Sequence, residues 1–226
     1  MLELLLPRRC IVCAQGGTLL CARCRGGLPR LTPPLCGRCG APTAWPVARC
    51  RECAGRRLAF VRARAAVPYE GGVQSLVGAW KERGLRPVAR LAAELALERL
   101  ERPDAAFLTF VPPDGGRLLE RGYHPAERFA RDLATAWELP CLPLLRRAPG
   151  SRRQRGLTLA ERRSNVHGGF AARPTSGPAV LVDDVYTSGA TVHAAAAALC
   201  RAGAAQVEVV TFARTIRMPR LGLGRG

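Results

Sequence analysis

Lysine is almost absent from this 226-residue chain: of 35 basic residues, 34 are arginine and only Lys81 is lysine. Alongside so much alanine and glycine, this reads as GC-rich coding bias, so much of the arginine is background. Lys81 therefore stands out as a position that asks for a compact, flexible ammonium rather than a planar fork, with an ordinary surface cation as the alternative. Acids are also scarce, 17 against 35 bases, which gives a formal charge of +18 and an isoelectric point near 11.0. Such a balance favours anionic partners, nucleic acid or phosphorylated metabolites, without choosing between them. Aromatic residues make up only 5%, which leaves little surface for tight single-strand binding by base stacking.

Long apolar runs are missing too. The longest, such as residues 194–200, fall far short of the ~20 residues a spanning helix needs, so no membrane insertion is expected. Leu4, Leu5 and Leu6 lie between Glu3 and Pro7 and form no secretory core, so a cytoplasmic protein is expected. There is no low-complexity block and no repeat beyond the cysteine pairs. At 48% hydrophobic and 23% charged residues, wholesale disorder is excluded, and the length suits one ordinary domain with a small appendix.

Eight of the ten cysteines fall in the first 53 residues as four CxxC pairs: Cys10 and Cys13, Cys21 and Cys24, Cys36 and Cys39, Cys50 and Cys53. In a reducing compartment, paired cysteines at this spacing point to tetrahedral zinc thiolate sites, with an iron–sulfur cluster or a redox dithiol as alternatives. The segment is rich in Gly, Pro and Arg and poor in apolar periodicity, so metal must supply its folding energy. The intervals suit two sequential structural zinc sites, Cys10, Cys13, Cys21, Cys24 and then Cys36, Cys39, Cys50, Cys53. A cross-braced pairing is the alternative. Residues 1–68 hold 12 Arg and 2 Glu, a formal +10, and two tetrathiolate zinc sites contribute −4, leaving about +6. The module stays basic, either for nucleic-acid contact or simply as a solvated adaptor surface.

From Leu58 the pattern changes. Residues 58–69 alternate loosely, as an extended arm or edge strand. Val73, Leu76, Val77 and Trp80 mark a helix that carries Lys81 at its end and stops near Gly84, and a second helix runs through Val88, Leu91, Leu95 and Leu100 to Pro103. Residues 106–111 form a buried strand ended by Pro112 and Pro113. Pro125 opens a helix with Phe129, Leu133 and Trp137 on one face. A short strand at 142–145 is followed by a basic loop, 146–163, with seven arginines and one acid. Residues 179–183 read as a strand, 191–202 as a helix and 206–213 as a last strand. This alternation implies a mostly parallel sheet covered on both faces, with ligands beyond the carboxyl ends of its strands. The expected organisation is residues 1–56 as the zinc module, 57–216 as the α/β domain and 217–226 as a frayed tail, with zinc chelation unfolding the first and sparing the second.

The chemistry concentrates at the third predicted strand. There the run from Val180 to Thr191 gives a strand, Asp183 and Asp184, a turn of Thr187, Ser188, Gly189, Ala190 and Thr191, and then a helix. The turn offers backbone N–H groups and hydroxyls at a helix N-terminus, a site for a phosphate monoester, and Gly189 permits close approach. The two acids can accept hydrogen bonds from vicinal ribose hydroxyls, directly or through a divalent ion.

This run resembles the phosphoribosyl-pyrophosphate (PRPP) signature of type I phosphoribosyltransferases, and the chain as a whole resembles the ComF family. The further matching pieces are Trp80-Lys81, Val111-Pro112, Glu120-Arg121-Gly122-Tyr123, Gln154 to Leu157, Arg162 with Asn165, and Phe170. Where the family commonly has Asn-Gln, this chain has His124-Pro125; where many members have two threonines, it has Thr187-Ser188. The resemblance implies a Rossmann-like α/β phosphoribosyltransferase fold behind a double zinc ribbon. It implies Mg²⁺ with PRPP as ligand, held by Asp183, Asp184, residues 187–191, Val111 and Pro112, with Lys81 and Arg121 as counter-charges to pyrophosphate. The basic loop would then close over the site or contact DNA. The family role implied is help in handling single-stranded DNA during natural transformation, beside a competence helicase. An active phosphoribosyltransferase of nucleobase or amine metabolism is the alternative. No general base can be assigned among His124, His167 and His193, and Cys141 and Cys200 read as small apolar residues.

Overall fold

The computed structural model describes residues 8–113, 123–148 and 169–216. Arg121, Gln154 to Leu157, Arg162, Asn165, His167 and the tail lie outside them. In chain order the described elements are α1 (Ala22–Gly26), β1 (Arg62–Pro68), α2 (Gly72–Lys81), α3 (Pro87–Leu97), β2 (Phe107–Phe110), α4 (Pro125–Trp137), β3 (Leu145–Arg147), β4 (Phe170–Ala172), β5 (Gly177–Tyr186), α5 (Ala190–Arg201) and β6 (Ala204–Arg214). Four of the strands form one parallel sheet in the order β1-β6-β5-β2. Buried on both faces, β2 and the middle of β5 need the near-continuous apolar runs that the sequence supplies there.

The period of two along β5 sends Val180 and Val182 to one face and Leu181 to the other. On the first face α2, α3 and α4 pack around Trp80, Phe129 and Phe212, whose rings meet edge to face at 5.9–6.5 Å. On the other, α5 lays Ala195, Ala196 and Leu199 against Leu181, Val207 and Val209. Small side chains let this helix come close to the sheet, and its long apolar stretch is a covering helix far too short for a membrane. Among the described residues no helix is long and apolar enough to cross one.

Three boundaries differ from expectation. α3 stops at Leu97 rather than near Pro103, because the chain tightens into a turn where Arg99 N donates to Ala96 O at 3.0 Å. The 142–145 strand is displaced: residues 140–142 bridge to β2 through Leu108, while Leu145–Arg147 pairs antiparallel with Phe170–Ala172 away from the main sheet. β5 runs on to Tyr186, so Asp183 and Asp184 lie within it; β6 is long enough to keep pairing, with Asp183 opposite Thr211 and Tyr186 opposite Arg214.

The cysteines settle into two sequential groups, Cys10, Cys13, Cys21, Cys24 and Cys36, Cys39, Cys50, Cys53, each with its sulfurs within 4.8 Å of one another. The cross-braced alternative is thereby excluded. Individual Sγ separations of 3.7 Å for Cys13 to Cys21, 3.6 Å for Cys36 to Cys53 and 3.5 Å for Cys39 to Cys50 are near the ~3.8 Å edge of a tetrahedron with ~2.3 Å zinc–sulfur bonds. Within the second group burial raises the Cys36 thiol, but the N–H groups of Cys39, Arg38 and Cys50 outweigh it and bring it down to about 6. Burial and the Cys36 sulfur push Cys53 up to about 11, so without metal the four sulfurs do not all ionise together. These are two structural zinc sites.

The ribbons straddle the β1 edge. Cys10, Leu20, Cys21 and Leu28 are buried with Val67, Val73 and Leu76 on one face, and Cys36, Cys39 and Cys53 with Phe60, Ala63 and Tyr186 on the other. The outer edge of β1 is occupied, since Ala63 N donates to Arg38 O at 2.8 Å. A Cβ on Gly40 would lie 2.5 Å from Ala63 O, so this contact is open only to glycine. Because ribbon residues share both cores, unfolding of the ribbons on metal removal is expected to reach the α/β domain as well, against the sequence expectation that chelation spares it. Chelator added during thermal melting should bring the helical circular dichroism signal of the whole chain down together, by several degrees or more. An unshifted α/β transition would show the ribbons to be independent.

Candidate functional site

At the carboxyl ends of β2 and β5 a cleft of about 240 Å³ opens, lined by Lys81, Val111, Pro112, Asp183, Asp184, Thr187 and Thr191, with Pro113, Tyr123, His124 and Arg147 closing its walls. Parallel strands put such a hollow at their carboxyl ends by construction. Residues from α2, the β2 loop, β5 and the N-terminus of α5, far apart in sequence, share it.

Lys81 ends α2 and reaches across to Asp184, with Nζ 2.7 Å from Oδ1 and side chains 24% and 13% exposed. Its ammonium is thus a positioned charge at the mouth of the cleft. Asp183 accepts from the Asp184 N–H at 2.9 Å. Burial first, and then the Asp184 carboxylate beside it, push the Asp183 carboxyl up to about 8, against the pull of Lys81 and Arg147. Two carboxyl groups held this way suit a divalent cation or a pair of ribose hydroxyls, either of which would relieve the repulsion.

Beyond Tyr186 the chain turns through Thr187, Ser188 and Gly189 into α5. Gly189 is the helix N-cap in the left-handed region at φ +72°, and a Cβ there would lie 2.3 Å from the Tyr186 hydroxyl oxygen. Only glycine fits both demands. The Ser188 hydroxyl oxygen accepts from Ala190 N at 3.3 Å, so this hydroxyl serves the turn itself. Thr187 and Thr191 line the cleft, whereas Ser188, Gly189 and Ala190 shape the backbone between them.

The pairing of β2 with β5 sets the opposite wall. Val111 N donates to Val182 O at 3.0 Å, and Arg147 Nε then reaches the Pro112 and Pro113 carbonyls at 3.2 and 3.0 Å. Arg147 also lies over the Phe170 ring, 4.9 Å from its centre. Sequence reasoning missed this residue because it sat in a run of background arginine; its place beside a strand pair was the only available signal. His124, at the family's Asn position, caps α4: Nδ1 accepts from Glu127 N at 3.2 Å while Pro125 opens the helix. Burial lowers its basicity. His193 Nδ1 accepts from Ala59 N at 3.0 Å. Both described histidines of the α/β part thus accept a backbone hydrogen bond at Nδ1.

Residues 1–54 match the double zinc ribbon domain family. Over nearly its whole length the chain is similar to the DNA utilization protein YhgH of Salmonella typhimurium, 28% identical across 94% of this chain and 100% of that protein. It is also similar to competence protein F of Haemophilus influenzae, at 26% over 91% and 96%, and to competence protein ComFC of Bacillus subtilis, at 27% over 87% and 84%. The chain is thus similar, over nearly its whole length, to competence and DNA utilization proteins, and its first 54 residues match the double zinc ribbon family. Partial overlaps with solved structures include a glutamine PRPP amidotransferase from B. subtilis complexed with ADP and GMP, at 22% identity over 54% of this chain and 26% of that one, TM-score 0.39. A purine phosphoribosyltransferase from Pyrococcus horikoshii overlaps at 17% identity over 63% and 93%, TM-score 0.30. The architecture is read from the chain itself: a parallel α/β sheet covered on both faces, with a double zinc ribbon of two tetrathiolate sites.

The raised Asp183 carboxyl has a measurable effect on stability. The folded chain holds this proton up to about pH 8, while the unfolded chain releases it near the ordinary 3.8. The group therefore contributes stability that falls as pH rises through that window. Urea midpoints between about pH 5 and pH 8 should decline more steeply for wild type than for Asp183→Asn; parallel profiles would show that Asp183 titrates normally.

Proposed function

We propose that this chain is of the ComF type, binds PRPP with Mg²⁺ in the 240 Å³ cleft and acts as a cytoplasmic accessory in handling single-stranded DNA. The observation carrying the ligand is the convergence of a lysine, two adjacent carboxyl groups and a helix N-terminus behind a glycine turn. The first matches pyrophosphate, the second a ribose diol and the third a phosphate monoester. In this reading the 5-phosphate lies on the turn 187–191, with Thr187 and Thr191 supplying hydroxyls. Asp183 and Asp184 hold the ribose hydroxyls or the cation, and their crowded carboxyl pair fits a divalent ion. The pyrophosphate lies near Val111, Pro112 and Lys81, with Arg121 as a further counter-charge. Bound Mg²⁺ would neutralise charge on pyrophosphate. The chain's own part is to position the anomeric carbon and keep Lys81 close to the departing phosphates, without a covalent nucleophile.

The DNA role rests on the relatives' names, competence protein and DNA utilization protein. A second cleft of about 550 Å³, sharing Tyr123 and His124 with the first, is lined by Arg86, Arg90, Arg128 and Arg131. Three of these arginines also pair with acids on their own helices, Arg90 with Glu94, Arg128 with Asp132 and Arg131 with Glu127. Arg86 stacks its guanidinium over the Tyr123 ring at 5.5 Å. A phosphodiester strand fits this basic wall better than a neutral partner, and a competence helicase would be the protein neighbour. The same PRPP cleft would serve an active transferase on a nucleobase or amine; release of pyrophosphate in an acceptor screen distinguishes that activity.

Calorimetric titration of Mg²⁺-PRPP into zinc-loaded protein should show binding, weakened at least ~10-fold, or roughly 1.4 kcal/mol, in the Asp183→Asn/Asp184→Asn variant. Equal affinity in both proteins would remove the carboxylates from the site. For an oligodeoxynucleotide, affinity should fall steeply with salt, and Arg86→Ala should weaken it. Salt-independent binding would dismiss the electrostatic reading of the arginine cleft.

A further inference from the structure

The second zinc ribbon is built against the back of the 187–191 turn. Arg56 follows its last cysteine by one turn: Arg56 N donates to Cys53 O at 3.1 Å, and Cys53 N to Cys50 O at 3.0 Å, so the zinc knuckle places the arginine. Its Nη1 donates to Ser188 O at 2.6 Å. In a planar trans peptide the carbonyl and the following N–H point in opposite directions. Holding the Ser188 carbonyl on the ribbon side therefore turns the Gly189 N–H to the other side of the turn.

A second link runs through Arg214, only 1% exposed at the end of β6. It donates to Cys39 O and, at 3.2 Å, to Glu52 Oε2, both within the second ribbon. The same guanidinium lies 5.1 Å from the centre of the Tyr186 ring, and Phe60 meets that ring edge to face at 6.4 Å. Tyr186 is the side chain directly beneath Gly189. The first ribbon is anchored elsewhere, with Arg25 pairing with Glu94 at 3.7 Å and with Glu98 on the far side of the sheet.

We propose that Arg56 and Arg214 are positioning residues through which the second zinc ribbon, and not the first, sets the backbone of the phosphate turn and hence its grip on a phosphate monoester. The ligand part of this inference rests on the PRPP reading above; the coupling of ribbon to turn does not. Arg56 makes no contact with the cleft itself, so its effect on ligand is indirect.

The test compares full-length, zinc-loaded wild type with Arg56→Ala, Arg56→Lys and, as first-ribbon control, Arg25→Ala. Zinc content and melting temperature are checked first, and each protein should retain two zinc ions. Hydrogen–deuterium exchange of the peptide covering residues 187–193 should then rise about 10-fold in Arg56→Ala, with Mg²⁺-PRPP affinity falling in parallel. Arg56→Lys, which keeps a donor for Ser188 O, should recover part of both, and Arg25→Ala should change neither. Wild-type exchange in Arg56→Ala with two zincs bound would overturn the coupling, as would equal loosening in Arg25→Ala. If wild type binds no PRPP, the ligand reading fails while the exchange comparison still decides the coupling.

Discussion

Gly189 stands at φ +72° directly above the Tyr186 ring, and this left-handed turn is what allows β5 to pass into α5 within three residues. A side chain there would have to displace the tyrosine, which is itself held by Arg214 and Phe60. The turn fixes where the helix N-terminus lies relative to Asp183 and Asp184, and those acids fix where Lys81 ends. Cleft, sheet and second ribbon thus meet at one short segment whose conformation only glycine can adopt without strain of a few kcal/mol.

Zinc changes the physical balance of the N-terminal segment. A stretch with so little apolar periodicity could not close the β1 edge by packing alone. Once its knuckles are formed, its cysteines and leucines become members of the two α/β cores. This gives the α/β domain a covered edge instead of an unpaired strand. It also places ribbon arginines at the sheet, where Arg56 reaches the Ser188 carbonyl in the 187–191 turn.

Much of this was legible in the sequence, and for identifiable reasons. Apolar runs such as 107–110 and 179–182 announce buried parallel strands, and close CxxC spacing announces zinc. The acids near the end of β5, followed by small hydroxyl residues and glycine, mark the 187–191 turn as the candidate phosphate site. What could not be read depends on contacts across the chain. Arg56 meets Ser188 over 132 residues and Arg214 meets Cys39 over 175, and neither stands out among so many arginines. Arg147 was hidden in the same way. Spacing alone also left both zinc pairings open, since each gives four thiolates; the sequential one follows from the fold, where each pair of knuckles closes locally before the chain moves to the other face of the sheet. Lys81 was legible for the opposite reason, being the lone lysine in an arginine background.

The claim at the centre of this account is the location of a phosphoribosyl ligand between the glycine turn and the Lys81–Asp184 pair. A crystal structure of the zinc-loaded protein grown with Mg²⁺-PRPP tests it most directly. The account predicts the monoester phosphate on the backbone of residues 188–191, the ribose against Asp183 and Asp184, and pyrophosphate beside Lys81 on the side of the cleft lined by Val111 and Pro112. Density for the ligand in the arginine cleft around Arg86 and Arg128, with the turn at Gly189 left bare, would contradict it.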